Sequence, residues 1–241
     1  MIDHQKIMVS PETTAAVSSR RTQRRVRPLL LDLIILAASA AIAAGVTAGV
    51  LHWQRSPSRG LPYRDEFSSG NNSEWAAYDG NWNVRSGIMI NESNERGAKL
   101  VTGSPYWTNY ALDADISLNS IGDAGVITRV SDAEPGVDSY SGIYGGLRVR
   151  DEALVLGVAD HAWNETVSKP MPEPISSNVW YHIRMAVQGC RVDLSAHRDG
   201  QREATQIAVT IPGCPVKGMI GLRSYDSGGQ WKNIRVTKLP Q

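Results

Sequence analysis

From Leu29 to Leu51 the chain reads LLLDLIILAASAAIAAGVTAGVL, an apolar run whose only charge is Asp32. As a helix it is about 34 Å long at ~1.5 Å per residue, enough to cross a hydrocarbon core of about 30 Å. Asp32 sits near one end, within reach of Arg27 or lipid headgroups, where a charge costs far less than at the bilayer centre. Residues 1–28 hold six basic side chains (Lys6, Arg20, Arg21, Arg24, Arg25 and Arg27) against Asp3 and Glu12. The five arginines close to the apolar run place that flank in the cytoplasm by the positive-inside rule, so the rest of the chain is expected across the membrane. The expected organisation is a disordered basic cytoplasmic tail at 1–28, a single-pass transmembrane helix at 29–51, a linker at 52–62 and an extracytoplasmic domain at 63–241. The bilayer lipid is the first expected partner.

A cleaved signal peptide is the rival reading, because Ala38-Ser39-Ala40 has the small-residue character of a peptidase site. The polar region before the run is long for a signal peptide, and apolar character continues past that site to Leu51. Arg20-Arg21 is a weak match to a twin-arginine export signal, since Thr22-Gln23-Arg24 follows in place of apolar residues. Gly45 and Gly49 form a GxxxG pair through which two copies would pack as a homodimer, although Ala-rich anchors contain such spacings by chance.

Beyond Gly60 the helical signal stops. Short alternating segments take over, closed by Gly, Asn, Asp or Pro, which is the pattern of an all-β sandwich of two sheets. Strands are expected at Trp82–Val84, Tyr110–Leu118, Ala124–Val130, Tyr140–Arg150, Ala153–Val158, Trp180–Val187, Arg191–Ala196, Thr205–Ile211, Gly218–Tyr225 and Lys232–Leu239. In YALDADISL the apolar phase is Leu112, Ala114, Ile116 and Leu118, which sends Asp113, Asp115 and Ser117 to the opposite face. In WYHIRMAV the core phase is Tyr181, Ile183, Met185 and Val187, leaving Trp180, His182 and Arg184 to point the other way. This body of about 180 residues is near neutral and has no basic stripe with interleaved aromatics, which argues against nucleic acid as a partner. Cys190 and Cys214 are the only cysteines. Each follows a Gly at a strand edge, and outside the cytoplasm they are expected to form a disulfide; free buried thiols are the alternative if the topology is otherwise. Without nearby histidines they do not fill a zinc shell.

Several segments carry a family resemblance: Asp65-Glu66-Phe67 leading to Trp75, GNWNVRSGIMI (80–90), NYALDADISL (109–118), AGVITRVS (124–131), YSGIYGGL (140–147), WYHIRMAVQGCRVDLSAH (180–197) and GMIGLRSYDSGGQWKNIRVTKL (218–239). Their order over residues 63–239 resembles the concanavalin A-like lectin/glucanase superfamily, especially its bacterial 3-keto-disaccharide-hydrolase or laminarinase-like domains. The resemblance implies a two-sheet jelly-roll. It does not choose among lectin, enzyme and adhesion module, because one fold hosts all three. It also reads Trp75, Trp82 and Trp231 as core.

The glucanase branch carries Glu-x-Asp-x-x-Glu on one strand, whose carboxylates supply nucleophile and acid. Here Asp113 and Asp115 share a face, but Leu118 stands where the acid belongs, so no catalytic residue is assigned. A solvated face or a structural calcium contact is the plainer expectation for the two aspartates, and no other cofactor is expected. Sugar recognition needs aromatic faces and planar hydrogen-bonding groups. Arg129 matches the Arg of the family's GI-x-x-R strand; Tyr140 and Tyr144 lie on one face of the next, and the loop after it offers His161 and Trp163. Together with Asp113 and Asp115 these are the candidate ligand-binding residues, with core packing of the tyrosines and an Arg129 pair to Asp113 or Asp138 as the alternative. His182 reads as a lone surface or packing histidine. Asn71, Asn91 and Asn164 open glycosylation sequons. The leading expectation is a membrane-anchored, non-catalytic module that binds a cell-envelope or extracellular glycan. The alternatives are a glycoside hydrolase or lyase using Asp113 and Asp115, and a scaffold in a membrane protein complex.

Overall fold

The computed structural model describes residues 60–240. The expected tail, membrane helix and Gly45/Gly49 contact lie outside them. The strands run β1 (Tyr63–Asp65), β2 (Ala76–Tyr78), β3 (Trp82–Arg85), β4 (Ile88–Asn91) and β5 (Arg96–Thr102), then β6 (Tyr110–Leu118), β7 (Asp123–Ser131) and β8 (Ser141–Arg148). After a 3-10 turn at Val149–Asp151 come β9 (Ala153–Asp160), β10 (Trp163–Pro170), β11 (Tyr181–Gln188), β12 (Arg191–Arg198), β13 (Thr205–Thr210), β14 (Met219–Tyr225) and β15 (Gly229–Lys238). They form two antiparallel sheets. The eight-stranded sheet has the order β13-β12-β11-β6-β15-β4-β3, with β1 added on β15; the seven-stranded sheet has the order β10-β9-β8-β7-β14-β5-β2.

Strand alternation accounts for the layer between the sheets. Leu112, Ala114, Ile116 and Leu118 of β6, Ile183 and Met185 of β11, and Trp231, Ile234 and Val236 of β15 are all fully buried against Leu100, Val126, Ile143, Leu147, Leu154, Leu156 and Leu222 from the other sheet. Each such side chain contributes about 1.5–3 kcal/mol. Trp75 and Trp231 are core as expected, and Trp82 packs partly buried on Trp231 with ring centroids 5.2 Å apart. Cys190 and Cys214 are disulfide-bonded, joining the end of the β11–β12 turn to the segment after β13.

Five strands depart from the sequence expectation: β1, β2, β4, β5 and β10. In β5 the alternation is masked because Lys99, at its centre, is fully buried and donates from Nζ to the carbonyls of Gly97 and Gly136. The stretch expected to be a loop bearing Trp163 is instead the start of β10, an edge strand mostly exposed to solvent and ending at Pro170. Few apolar positions on an edge strand leave little periodic signal.

The seven-stranded sheet is covered on its outer face too, which is why Ala124 to Val130 of β7 are buried without interruption. A second apolar cluster of Val101, Ile127, Val130, Tyr140, Tyr144 and Ala159 lies there, flanked by Tyr78 and Trp163. The 132–140 connection is tied over this face: Gly136 accepts from Lys99 and donates its N–H to Asp79, while Asp138 pairs with Arg223 of β14. Of the sequons, Asn91 is fully buried with its amide donating to Ser224 Oγ and Ser93 O, so it is closed to modification.

Candidate functional site

The outer face of the eight-stranded sheet carries an open polar groove. Three central strands build it in register: His182 of β11 lies directly opposite Asp115 of β6, and Arg184 opposite Asp113. On the other side of β6, Lys232 of β15 opposes Asp115 and Arg235 opposes Asp113. Between those two positions β15 bulges, with Asn233 at φ 56°. A bulge re-aims a side chain that a regular strand would direct elsewhere. Here the Asn233 amide donates to Asp115 Oδ2 at 2.6 Å, and Arg235 returns to the outer face.

The two aspartates are held by cations. Arg184 Nη1 donates to both oxygens of Asp113, at 2.7 and 2.6 Å. His182 Nδ1 lies 2.8 Å from Asp115 Oδ1, and its Nε2 lies 3.6 Å from Asp113 Oδ1, an ion-pair rather than a hydrogen-bond distance. The carboxylates of Asp113 and Asp115 raise the His182 pKa to about 9 against the opposing effect of its partial burial. The imidazole is therefore cationic at neutral pH. Burial pushes both aspartates up, but His182 beside both, with the hydrogen bonds from Arg184 to Asp113 and from Asn233 to Asp115, outweighs it, and both end below the ordinary carboxylate value. This sharing of opposite charge across strands is also what fixes the rotamers of the face.

Around this network Arg64, Asp113, Asp115, His182, Arg184, Asn233, Arg235 and Thr237 line a groove of about 550 Å³. That lies within the range of about 300–1,000 Å³ typical of ligand pockets. A second hollow of about 200 Å³ shares Arg184 and is lined also by Asp193 and Ser195 of β12 and Gln206 and Ala208 of β13. Among the described residues no group of three or more His, Cys, Asp or Glu is arranged to hold a metal ion. Asp113 and Asp115 bond to His182, Arg184 and Asn233.

The seven candidate residues do not line one groove. Asp113 and Asp115 face this polar groove, whereas Tyr140, Tyr144 and Trp163 belong to the covered outer face of the other sheet. There Tyr144 Oη donates to Asp123 at 2.9 Å and its ring meets Trp163 edge-on at 5.6 Å. The Arg223 guanidinium stacks over Tyr144 at 4.6 Å and bridges Asp123 and Asp138 at 2.8 and 2.6 Å. Tyr140 and Tyr144 are buried and Trp163 half-buried, so this cluster is filled by its own chain. His161 is exposed in the β9–β10 turn. Arg129 turns away from both faces. It sits in a β7 bulge at φ 56°, fully buried, donating to the carbonyls of Thr108 and Pro215 and to Cys214 Sγ, so it pairs with neither Asp113 nor Asp138. Backbone acceptors near the disulfide make it a brace.

His182 is not a lone histidine: a D-x-D strand beside an H-x-R strand, both on the outer phase, was the available signal. Arg64, Asn233, Arg235 and Thr237 left none, because only long-range pairing brings β15 beside β6 and β1 beside β15.

Known proteins share this architecture. The carbohydrate-binding module CBM66 from Bacillus subtilis superposes with a TM-score of 0.55 at 15% identity, over 68% of this chain and 96% of that one. The VIP36 exoplasmic/lumenal domain in its Ca²⁺/Man3GlcNAc-bound form gives 0.54 at 12% identity, over 75% and 89%. A Bacillus subtilis protein of unknown function with a galectin-like fold gives 0.57 at 14% identity, over 74% and 96%. At these identities the likeness is one of fold, a two-sheet antiparallel β-sandwich. No curated protein matches the sequence. Residues 62–237 match the model of the 3-keto-alpha-glucoside-1,2-lyase-like domain, and the chain belongs to that family.

Proposed function

We propose that this chain is a membrane-anchored, non-catalytic carbohydrate-binding protein, displayed outside the cell, whose glycan lies in the groove on the outer face of the eight-stranded sheet. The observation that carries the reading is that groove itself: open, about 550 Å³ in volume, and lined by planar and charged hydrogen-bonding groups on rigid strands. Sites on strands hold such groups more accurately than sites on loops. Two fold neighbours support the ligand class, one named as a carbohydrate-binding module and the other holding Man3GlcNAc.

The state of the acids supports the non-catalytic reading as far as two-carboxylate glycoside hydrolysis is concerned. Glycoside hydrolysis needs one protonated carboxyl beside one ionised carboxylate. Asp113 and Asp115 are both held in the ionised form by cationic and amide neighbours, and the one protonated group, His182, is pinned between them. The anchor reading rests on the apolar run at 29–51 and its arginine flank.

The test is a polysaccharide pull-down with the full chain in a detergent that carries no sugar headgroup, followed by product analysis of whatever binds. Retention of at least one envelope or extracellular polysaccharide, with no new reducing ends over time, supports the reading. Failure to retain any polysaccharide, or cleavage abolished by Asp115→Asn, overturns it.

A further inference from the structure

We infer that the groove takes an acidic glycan, one whose sugar units carry carboxylates, seated on Arg235 where β1, β6 and β15 meet. This rests on the groove being a glycan site and names what that site selects. One row of directly opposed outer-face residues crosses the sheet as Ser195, Arg184, Asp113, Arg235 and Arg64. Three guanidinium groups therefore share a line with one carboxylate. Asp113 is already occupied by Arg184, and Arg64 is paired with Glu66. Arg235, exposed and directly opposite Arg64, has no ion pair or side-chain hydrogen bond among the described residues.

Like charges opposed across two strands destabilise the pairing. The Arg64–Arg235 opposition is such a pair, and it lines the groove. An anion there relieves the repulsion, and a carboxylate suits the guanidinium fork because its two oxygens accept parallel hydrogen bonds. The balance of the lining points the same way: with Arg64 held by Glu66, the remaining cations Arg184, Arg235 and His182 outnumber Asp113 and Asp115. Recognition of a neutral sugar leans on a free aromatic face, and that is what this groove lacks. Trp180, the aromatic just ahead of β11 on the phase of His182, has Lys232 Nζ over its ring at 4.1 Å. Charge is what remains to recognise a ligand.

The experiment is a calorimetric titration of the full chain, in the same sugar-free detergent, with polygalacturonate, its fully methyl-esterified form and dextran sulfate. Arg235→Gln is run in parallel. The expected result is binding of polygalacturonate, much weaker binding of the ester, a loss of roughly 10–100-fold in affinity for the variant, and weakening with added salt. Arg235 is exposed and opposes a like charge, so a thermal midpoint that does not fall in the variant separates lost binding from lost folding. Equal affinity for acid and ester, or no effect of Arg235→Gln, overturns the acidic assignment and leaves the glycan reading standing. Dextran sulfate binding without polygalacturonate binding overturns the carboxylate class. Binding of none of the three, when the pull-down also retains no neutral polysaccharide, overturns both.

Discussion

Replacing His182 by Gln removes the cation between Asp113 and Asp115 while leaving Arg184 on Asp113 and Asn233 on Asp115. The stabilisation at stake follows from the imidazole's pKa, which moves from an ordinary 6.5 to about 9 in the folded chain. At about 1.36 kcal/mol per pH unit that interval has a ceiling of roughly 3.4 kcal/mol. The side chain is 38% exposed, so solvent screening reduces the expected value. About 1–2 kcal/mol remains. Because the folded value is the higher one, the contribution is complete below pH 6.5 and is lost as the pH rises to about 9. Linkage thus fixes the shape of the difference between wild type and variant, not only its size. Urea unfolding of both proteins at several pH values between about 6 and 10 measures it. The expected gap is widest near pH 6 and closes by about pH 10. A gap of constant size, or an imidazole that titrates near 6.5 by NMR, refutes the clamp.

Three further perturbations probe the frame around the groove. Arg223→Met leaves Asp123 and Asp138 without their shared cation under the 132–140 connection; breaking a buried pair in this way costs about 3–5 kcal/mol, and a loss under about 1 kcal/mol in denaturant unfolding contradicts the described packing. Reducing Cys190–Cys214, which spans 24 residues, lowers stability by about 3–4 kcal/mol on chain-entropy grounds, read as a shift in the denaturant midpoint with reductant, and no shift contradicts it. In Gly157→Ala the new Cβ falls 2.4 Å from Trp163 Cη2 and 2.5 Å from the Asn164 carbonyl oxygen, so the indole must move. The expected readouts are a changed tryptophan emission spectrum and a loss of about 1–3 kcal/mol, and an unaltered spectrum counts against that placement.

Strand alternation made the sandwich legible wherever one face is buried and the other is wet. β6 and β11 show this best: their apolar phases form the core, and the polar phases Asp113, Asp115, His182 and Arg184 form the groove. Alternation failed where both faces are covered, as in β5, or where neither is, as in β10. Strand phase suggested Tyr140 and Tyr144, and loop position Trp163, as sugar platforms, but an aromatic looks the same in sequence whether a ligand or its own chain covers it. The 132–140 connection decides that, and it is fastened by Lys99 and Arg223, which lie far from it in sequence. Arg129 misleads for a related reason. A bulge at φ 56° breaks the phase count, so its side chain leaves the face that alternation assigns to it. The bulge at Asn233 has the opposite outcome, adding an amide to Asp115 that no pattern in β15 announces.

The most direct test of the central claim is hydroxyl-radical footprinting of the full chain with and without a bound glycan, read residue by residue. Binding in the groove predicts protection of His182, with Trp163 and His161 unchanged. Protection of Trp163 and His161, with His182 unaffected, would put the glycan on the seven-stranded sheet and contradict this placement.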